Sequence, residues 1–171
     1  LRSTSSGSGQ SAMDIALTGS GDMFGVDGLS WGAGYGEAEN GSQASTKAHG
    51  AENDDEHMTV FANYSMGAVT FGYQMSHIKK GASAGVDQNV DAWGLAWNVN
   101  ENLSISYGER EVEYDNPSAA NITEEGEGIA IAYTMGSMKI AGNRNEVSDN
   151  DNSTADSAKD ENTEIAVSFA F

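Results

Sequence analysis

Residues with the chemistry of a catalytic or metal site are few in this sequence and loosely spaced. The three histidines, His49, His57 and His77, share no spacing that a metal or catalytic site would require. The sequence contains no cysteine, which excludes disulfides, zinc–thiolate sites and thiol catalysis. We find no nucleophile, base and acid in an arrangement that a reaction needs, and we therefore predict that the protein is not an enzyme.

Carboxylates near the end of the sequence have the spacing of a weak cation site. Asp149-x-Asp151-x-Ser153, with Asp160 at the twelfth position, is similar to a calcium-binding loop. It departs from that loop at Thr154, where glycine is needed, and at Asp160, where the loop has a bidentate glutamate. Two hypotheses stay open: Ca²⁺ or Mg²⁺ held by acidic loops that include Asp149, Asp151 and Asp160, or a solvated, charged rim. No other cofactor is predicted.

The elements that position these histidines and carboxylates are predicted to be β-strands. Apolar side chains recur at every second position, and helical spacing is hard to find. The alternation predicts nine strands: around 14–17, at 29–36, in three hairpins (58–66 with 69–76, 93–99 with 103–107, 129–133 with 138–140) and at 163–171. Short turns are predicted near 66–68, 99–102 and 135–137, a longer one at 18–28, and long polar loops at 37–57, 78–90, 109–127 and 145–162. The fold class is therefore all-β, an antiparallel up-and-down sheet with short turns on one edge and long loops on the other.

The charge balance limits the partners. The sequence has 8 Lys+Arg against 26 Asp+Glu, a formal net charge of −18, which argues against nucleic-acid binding. Most of the acidic residues fall in three of the predicted long loops. Since negative charge concentrates cations, these loops predict a cation-preferring mouth. No apolar run approaches the roughly 20 residues of a transmembrane helix.

The two faces of the predicted sheet differ sharply. One carries the large apolar residues and most of the aromatics, and the other carries Ser, Thr, Gly, Asn, Gln and Ala. A soluble barrel turns its apolar face inward, whereas a membrane barrel turns it toward lipid around a polar lumen. The small polar face favours the transmembrane β-barrel, and so do aromatics near the short turns, at the depth of an interfacial girdle. These aromatics are Trp31, Tyr64, Phe71, Trp97, Tyr133 and Phe171. A secreted acidic β-sandwich is the soluble alternative.

The end of the sequence and two hairpins carry a resemblance to a known family. Residues 165–171, Ile-Ala-Val-Ser-Phe-Ala-Phe, resemble the outer-membrane sorting signal with its terminal Phe. The hairpin of 60–64 with 69–73 and the strand at 128–133 add to it. On these residues the chain resembles the C-terminal part of a Gram-negative outer-membrane general porin, of the alphaproteobacterial type.

The resemblance implies a barrel of about 16 strands, a homotrimer and passive diffusion of small hydrophilic solutes. It also implies a bacterial outer-membrane location with membrane lipid and lipopolysaccharide as neighbours, the C-terminus on the periplasmic side and the acidic loops outside. Nine strands is an odd number, so residues 1–171 are expected to be the C-terminal part of one barrel domain without its N-terminal strands and constriction loop. The rival function is a structural or adhesive outer-membrane barrel whose acidic loops bind cations or partners.

Three basic residues are candidates for the wall of the pore. Arg110 and Lys139 fall on the polar face, and Arg144 joins them only if a short irregularity in its strand turns it inward. Basic side chains that face acidic ones across a narrow passage filter solutes by charge and dipole. The alternative, that these are unrelated charges at the strand ends, stays open.

Overall fold

The computed structural model describes residues 12–39, 54–81, 85–155 and 158–170. They form one antiparallel sheet whose strand order follows the chain, with β1 and β9 at its open edges. The strands are β1 (Ala12–Ser20), β2 (Leu29–Glu39), β3 (Asp54–Met66), β4 (Val69–Lys79), β5 (Asp87–Asn98), β6 (Leu103–Asp115), β7 (Ile122–Met135), β8 (Met138–Ser148) and β9 (Asp160–Phe169). The predicted all-β, up-and-down architecture is confirmed. Within these ranges no helix has the length and apolar character to cross a membrane.

The connections between the strands lie on two opposite edges of the sheet. On one edge, which we call the short-turn edge, lie a short 3-10 helix (Gly21–Phe24) with residues 25–28, the pair 67–68, residues 99–102 and the pair 136–137. At the opposite, long-loop edge β2 ends and β3 begins, and the described connecting residues there are 80–81, 85–86, 116–121, 149–155 and 158–159. The predicted alternation of the connections between two edges is therefore confirmed, although the connection at 21–28 is longer than those at 80–86 and 116–121.

Glycine sets the geometry of the short turns. Gly67 and Gly136 each begin a two-residue turn with φ of 61°, as the first central residue of a type II′ hairpin requires. Gly28 has φ of 78°, and a Cβ there would lie 2.2 Å from the carbonyl oxygen of Ser65. The Ser65 amide also donates to the Gly28 carbonyl at 2.8 Å, so the β1–β2 connection packs against the neighbouring turn.

Two of the predicted long loops are shorter than expected because the strands extend into them, which corrects the sequence-based boundaries. β6 continues to Asp115 and β7 begins at Ile122, so the loop predicted at 109–127 shrinks to 116–121. The loop predicted at 145–162 likewise shrinks to 149–159. Acidic residues continue the ladder here because alternate side chains reach solvent or an ion-pair partner. β6 and β7 have 13 and 14 residues, more than the 9–11 or so that cross a bilayer.

The register divides the side chains into two faces, because residues opposite each other in an antiparallel ladder point to the same side. Every strongly exposed large apolar side chain of the described strands lies on one of them, the apolar face. Among the described residues, the only large apolar side chains that are buried are Val112 and Tyr114, on the opposite, polar face. A β-sandwich would have buried Trp97 and Phe169, which are 48% and 57% exposed, so the soluble alternative does not fit this sheet.

Candidate functional site

The polar face encloses a broad concavity of about 820 Å³ between β3 and β8. Small and uncharged groups form most of its wall, and glycine recurs at neighbouring positions of adjacent strands, as at Gly72 and Gly94. Asn63, Gln74 and Ser106 add hydrogen-bonding groups to this wall. Large apolar side chains are fewer on this face, although Phe61 and Val147 contribute to the wall, so this is the side of the sheet that could hold water.

Arg110 and Lys139 lie on the polar face, where their alternation places them. Arg110 is opposite Ala92 and Gly126, and it reaches the concavity with half of its side chain exposed. Lys139 is opposite Thr134 and Ser168 near the short-turn edge and is exposed. The two cations thus share a face but lie at different heights on it.

Arg144 does not join them. The ladder of β8 is continuous on both sides from Met138 to Val147, so no irregularity turns its side chain inward. Arg144 is opposite Ile129 and Thr163 on the apolar face. Its Nη2 donates to the Glu146 carboxylate and lies 3.0 Å from Oε1 of Glu161. The expectation for Arg144 is corrected: with an unbroken alternation it lies on the face opposite to Arg110.

A buried carboxylate at the long-loop end of the polar face was not singled out from the sequence. The Glu124 residue is 3% exposed, and its Oε1 accepts from Nη2 of Arg110. Its Oε2 accepts from the Tyr114 hydroxyl at 3.1 Å and from the Asp151 amide at 3.0 Å. Glu124 therefore joins β6, β7 and the β8–β9 loop through three donors.

The environment of Tyr114 keeps its hydroxyl a donor. Tyr114 is the penultimate residue of β6, at its long-loop end. Burial first, and then the hydrogen bond to Glu124 and the nearby carboxylate charges, raise the pKa of its hydroxyl above the ordinary value. The phenol is consequently protonated, as the hydrogen bond to Glu124 requires.

The β4–β5 loop is attached to the sheet in a similar way. Oδ1 of Asp55 accepts from the Gly81 amide at 2.9 Å, and Oδ2 lies 3.1 Å from Nζ of Lys80. Burial alone would raise the pKa of the Asp55 carboxyl, but the hydrogen bonds from Gly81 and Lys80 outweigh it and lower that pKa. Asp55 is therefore a charged anchor at the long-loop edge.

Carboxylates also line the apolar face, on the long-loop side of a second set of aromatics, Tyr73, Trp93 and Tyr107. The Tyr73 hydroxyl donates to Asp91, and Nε1 of Trp93 donates to Oε2 of Glu109 at 3.1 Å. The Tyr107 hydroxyl donates to Oε1 of Glu109 at 2.6 Å and to Oε2 of Glu127 at 2.7 Å. A cleft of about 640 Å³ continues this acidic belt, whose carboxylates are Asp91, Glu109, Glu111, Glu125, Glu127, Glu146 and Glu161. The repeated two-residue step from aromatic to acid, as in Tyr107-x-Glu109, is the sequence signal that could have predicted it.

The predicted girdle aromatics lie on the apolar face toward the short-turn edge. Trp97 is opposite Val69 beside a turn, and Tyr64 is opposite Phe71 one row further along. Tyr133 is opposite Leu103. Trp31 is opposite Gly19 and Ala62, and its ring centroid lies 6.2 Å from that of Phe24. Phe171 falls outside the described residues. That these rings mark a membrane interface stays a prediction.

The residues of the predicted cation loop do not form a cage in the described structure. Within the described residues no three side chains of His, Cys, Asp or Glu are grouped closely enough to hold a metal ion. Asp149 and Asp151 instead have left-handed backbone, with φ of 53° and 56°. Asp160 begins β9 opposite Val147.

Comparison with known proteins agrees with this geometry at the level of the fold. No protein-family model and no curated protein matches the sequence. The structure is similar to outer-membrane expressed OmpT of Vibrio cholerae, with a TM-score of 0.61 and 12% identity over 82% of this chain and 46% of that one. It is also similar to a porin, with a TM-score of 0.63 and 16% identity over 90% of this chain and 50% of that one. The fold is therefore of the outer-membrane β-barrel type, and the chain spans about half the length of both structures.

Proposed function

We propose that this chain is part of an outer-membrane porin, a water-filled channel for passive diffusion of ions and small hydrophilic solutes. The observation that carries the proposal is the inverted sheet: large apolar side chains are exposed on one face, while small polar groups line a concavity on the other. Lipid would cover the apolar face and water would fill the concavity. The fold shared with a porin supports the same function.

The proposed mechanism is size exclusion with electrostatic filtering, and no bond is made or broken. Further strands would complete a barrel of about 16 strands, as the family resemblance implies. The long-loop edge would face outside, and the short turns and the C-terminus would face the periplasm. Solutes would pass along the polar face, where Arg110 and Lys139 supply positive charge and wall hydroxyls and amides replace part of the hydration shell.

The proposed preference for cations rests on the charges that the register places on the polar face. Most carboxylates of β5 to β8 lie on the apolar face instead, so they contribute less to the field inside the channel. Glu124 on the polar face is already paired with Arg110. The remaining polar-face charges include Asp14, Asp160 and Glu164 on the acidic side and Lys139 on the basic side.

The function is tested by single-channel recording of the native protein, purified in detergent, in a planar bilayer under a salt gradient. We expect uniform conductance steps in groups of three. The reversal potential should have the sign that shows cations to be more permeant than anions. Folded protein that produces no steps would contradict the channel and favour the structural or adhesive barrel. Uniform steps that occur singly, and not in groups of three, would contradict the homotrimer but not the channel.

Neutralising acids on the polar face is expected to weaken cation preference. In the double variant Asp160→Asn/Glu164→Gln, two negative charges leave the channel wall, so the reversal potential should move toward zero. The matched control is Glu146→Gln/Glu161→Gln, which removes the same charge from the apolar face of β8 and β9. An equal shift in both variants would contradict the assignment of the polar face to the lumen.

The proposed partners follow from the apolar face. The acidic belt above the second set of aromatics would lie at the level of lipopolysaccharide phosphates, with Ca²⁺ or Mg²⁺ bridging the two sets of negative charge. Acidic loops at the same edge, including Asp149, Asp151 and Asp160, would bind these cations too. A homotrimer and the absence of nucleic-acid binding complete the proposal.

A further inference from the structure

We propose that residues 149–152 form a strap over the outer mouth of the channel, fastened to the wall by Glu124. The inference rests on the proposed channel function and deepens it, because it assigns the element that sets the width of the long-loop mouth. Its starting point is the contact between the Asp151 amide and Oε2 of Glu124, which joins the β8–β9 loop to the polar face of β7.

Burial shows where the strap lies. Val112 and Tyr114 are 4% and 9% exposed, and Glu124 is 3% exposed, whereas elsewhere on the described polar face only two glycines, Gly32 and Gly36, are buried. These three residues are neighbours on β6 and β7, with Val112 directly opposite Glu124. A single-layer sheet buries such side chains only where another segment covers them, and the contact from Asp151 identifies the β8–β9 loop as that segment.

A second attachment holds the strap from the neighbouring loop. Nδ2 of Asn116 donates to Oδ1 of Asn152 at 2.9 Å, and Nδ2 of Asn152 donates to Oδ1 of Asn116 at the same distance. Asn116 follows β6 directly, so this reciprocal amide pair joins the β6–β7 loop to the β8–β9 loop. The strap is thus attached at two points, one to the wall and one to a loop.

The strap backbone has a conformation that these contacts must maintain. Asp149, Asp151 and Asn152 have φ of 53°, 56° and 58°, in the left-handed region that is uncommon outside glycine and that Asp and Asn adopt more readily than other residues. Such conformations persist where the surroundings impose them. Loss of the Glu124 contact would let the segment relax toward ordinary backbone angles and leave the wall. The strap therefore has a closed state, which the structure shows, and a released state that Glu124 disfavours.

Glu124 acts in this scheme as a positioning residue. Its carboxylate accepts from the Asp151 amide with one oxygen and from Arg110 with the other, so one side chain fixes both the strap and a basic group of the wall. Loss of the Glu124 carboxylate would release the strap, which widens the mouth, and would free the Arg110 guanidinium at the same time. The width and the charge of the mouth are consequently set together.

The test replaces Glu124 by glutamine and follows the accessibility of the covered wall. Because the sequence has no cysteine, Val112→Cys creates a single thiol beneath the strap. With Glu124→Gln added, we expect labelling by a charged, water-soluble maleimide to become about tenfold faster, the factor that loss of one charge-assisted hydrogen bond produces. The matched control is Glu125→Gln, whose side chain is exposed on the other face and should leave the rate unchanged. Equal rates with Glu124→Gln and Glu125→Gln would overturn the proposal.

A disulfide between the two attached loops provides the reverse experiment. In the variant Glu124→Gln/Asn116→Cys/Asn152→Cys, oxidation should restore the conductance of the native channel, and reduction should return it to the larger, noisier value of Glu124→Gln. Unchanged conductance across all these states would overturn the role of the strap at the mouth. The labelling experiment needs no current, so a silent protein with protected Val112→Cys would refute the channel but keep the strap.

Discussion

Replacement of Ile131 by arginine is expected to destabilise the membrane-inserted protein by about 2–4 kcal/mol, the cost of a cation on the lipid face near the bilayer midplane. Ile131 is 51% exposed in the middle row of the apolar face, between Ile105 and Gly142. An arginine at this height has no carboxylate in its own row and must reach along the sheet to find water. The free energy of unfolding from lipid vesicles, measured by urea titration, is the quantity that checks this.

The adjacent residue supplies the control. Ala130 precedes Ile131 but lies on the polar face, opposite Ser106 and Asn143, where it lines the concavity. Ala130→Arg adds the same charge at the same height and should leave the free energy of unfolding nearly unchanged, because water surrounds the new side chain. Similar losses from Ile131→Arg and Ala130→Arg would contradict the assignment of the two faces, whereas a loss confined to Ile131→Arg would support it.

The alternation of apolar residues predicts the strands well because each face of the sheet has one kind of environment along most of its length. Successive side chains therefore alternate between apolar and polar. Residues such as Ile129, Ile131 and Tyr133 repeat at every second position, and all three lie on the apolar face. The order of the strands also follows from the sequence, since short turns such as Gly67-Ala68 leave a strand no partner but the next one. These features depend on local spacing alone.

The strand ends were predicted less well because charge was taken as a sign of loop. Glu109, Glu111 and Glu113 alternate as regularly as the apolar residues before them, and the ladder continues through all three. Their side chains lie on the face of Tyr107 and not in a loop around the mouth. Much of the acidic charge consequently lies on the apolar face. The sequence alone had predicted that this charge lines the mouth.

Glu124 could not have been identified from the sequence because its burial depends on distant residues. Nothing in the run Thr123-Glu124-Glu125 distinguishes the buried carboxylate from its exposed neighbour except the alternation of faces. The Asp151 amide that it binds is 27 residues further along the chain. The role of Arg144 depends similarly on the unbroken register of β8, which spacing alone does not establish.

Removal of Arg110 is expected to destabilise the fold by about 2–3 kcal/mol, because it leaves Glu124 buried without its cation. The Glu124 side chain is 4% exposed, whereas that of Arg110 is 51% exposed, so the desolvation cost lies almost wholly on the carboxylate. In Arg110→Ala the Tyr114 hydroxyl and the Asp151 amide still donate to Glu124, but among the described residues no other basic side chain forms an ion pair with it. Because Arg110 itself is half in water, the expected loss falls short of the larger cost of breaking a fully buried pair.

Lys139→Ala is the matched control, since Lys139 is an exposed cation on the same polar face and should change the free energy of unfolding by less than about 0.5 kcal/mol. A double-mutant cycle separates the ion pair from the loss of side-chain packing. Once Glu124→Ala has removed the buried carboxylate, Arg110→Ala should cost little more, because the charge that needed compensation is gone. Additive losses in the double variant would mean that Arg110 stabilises the wall by packing alone, and that Glu124 holds the strap without its help.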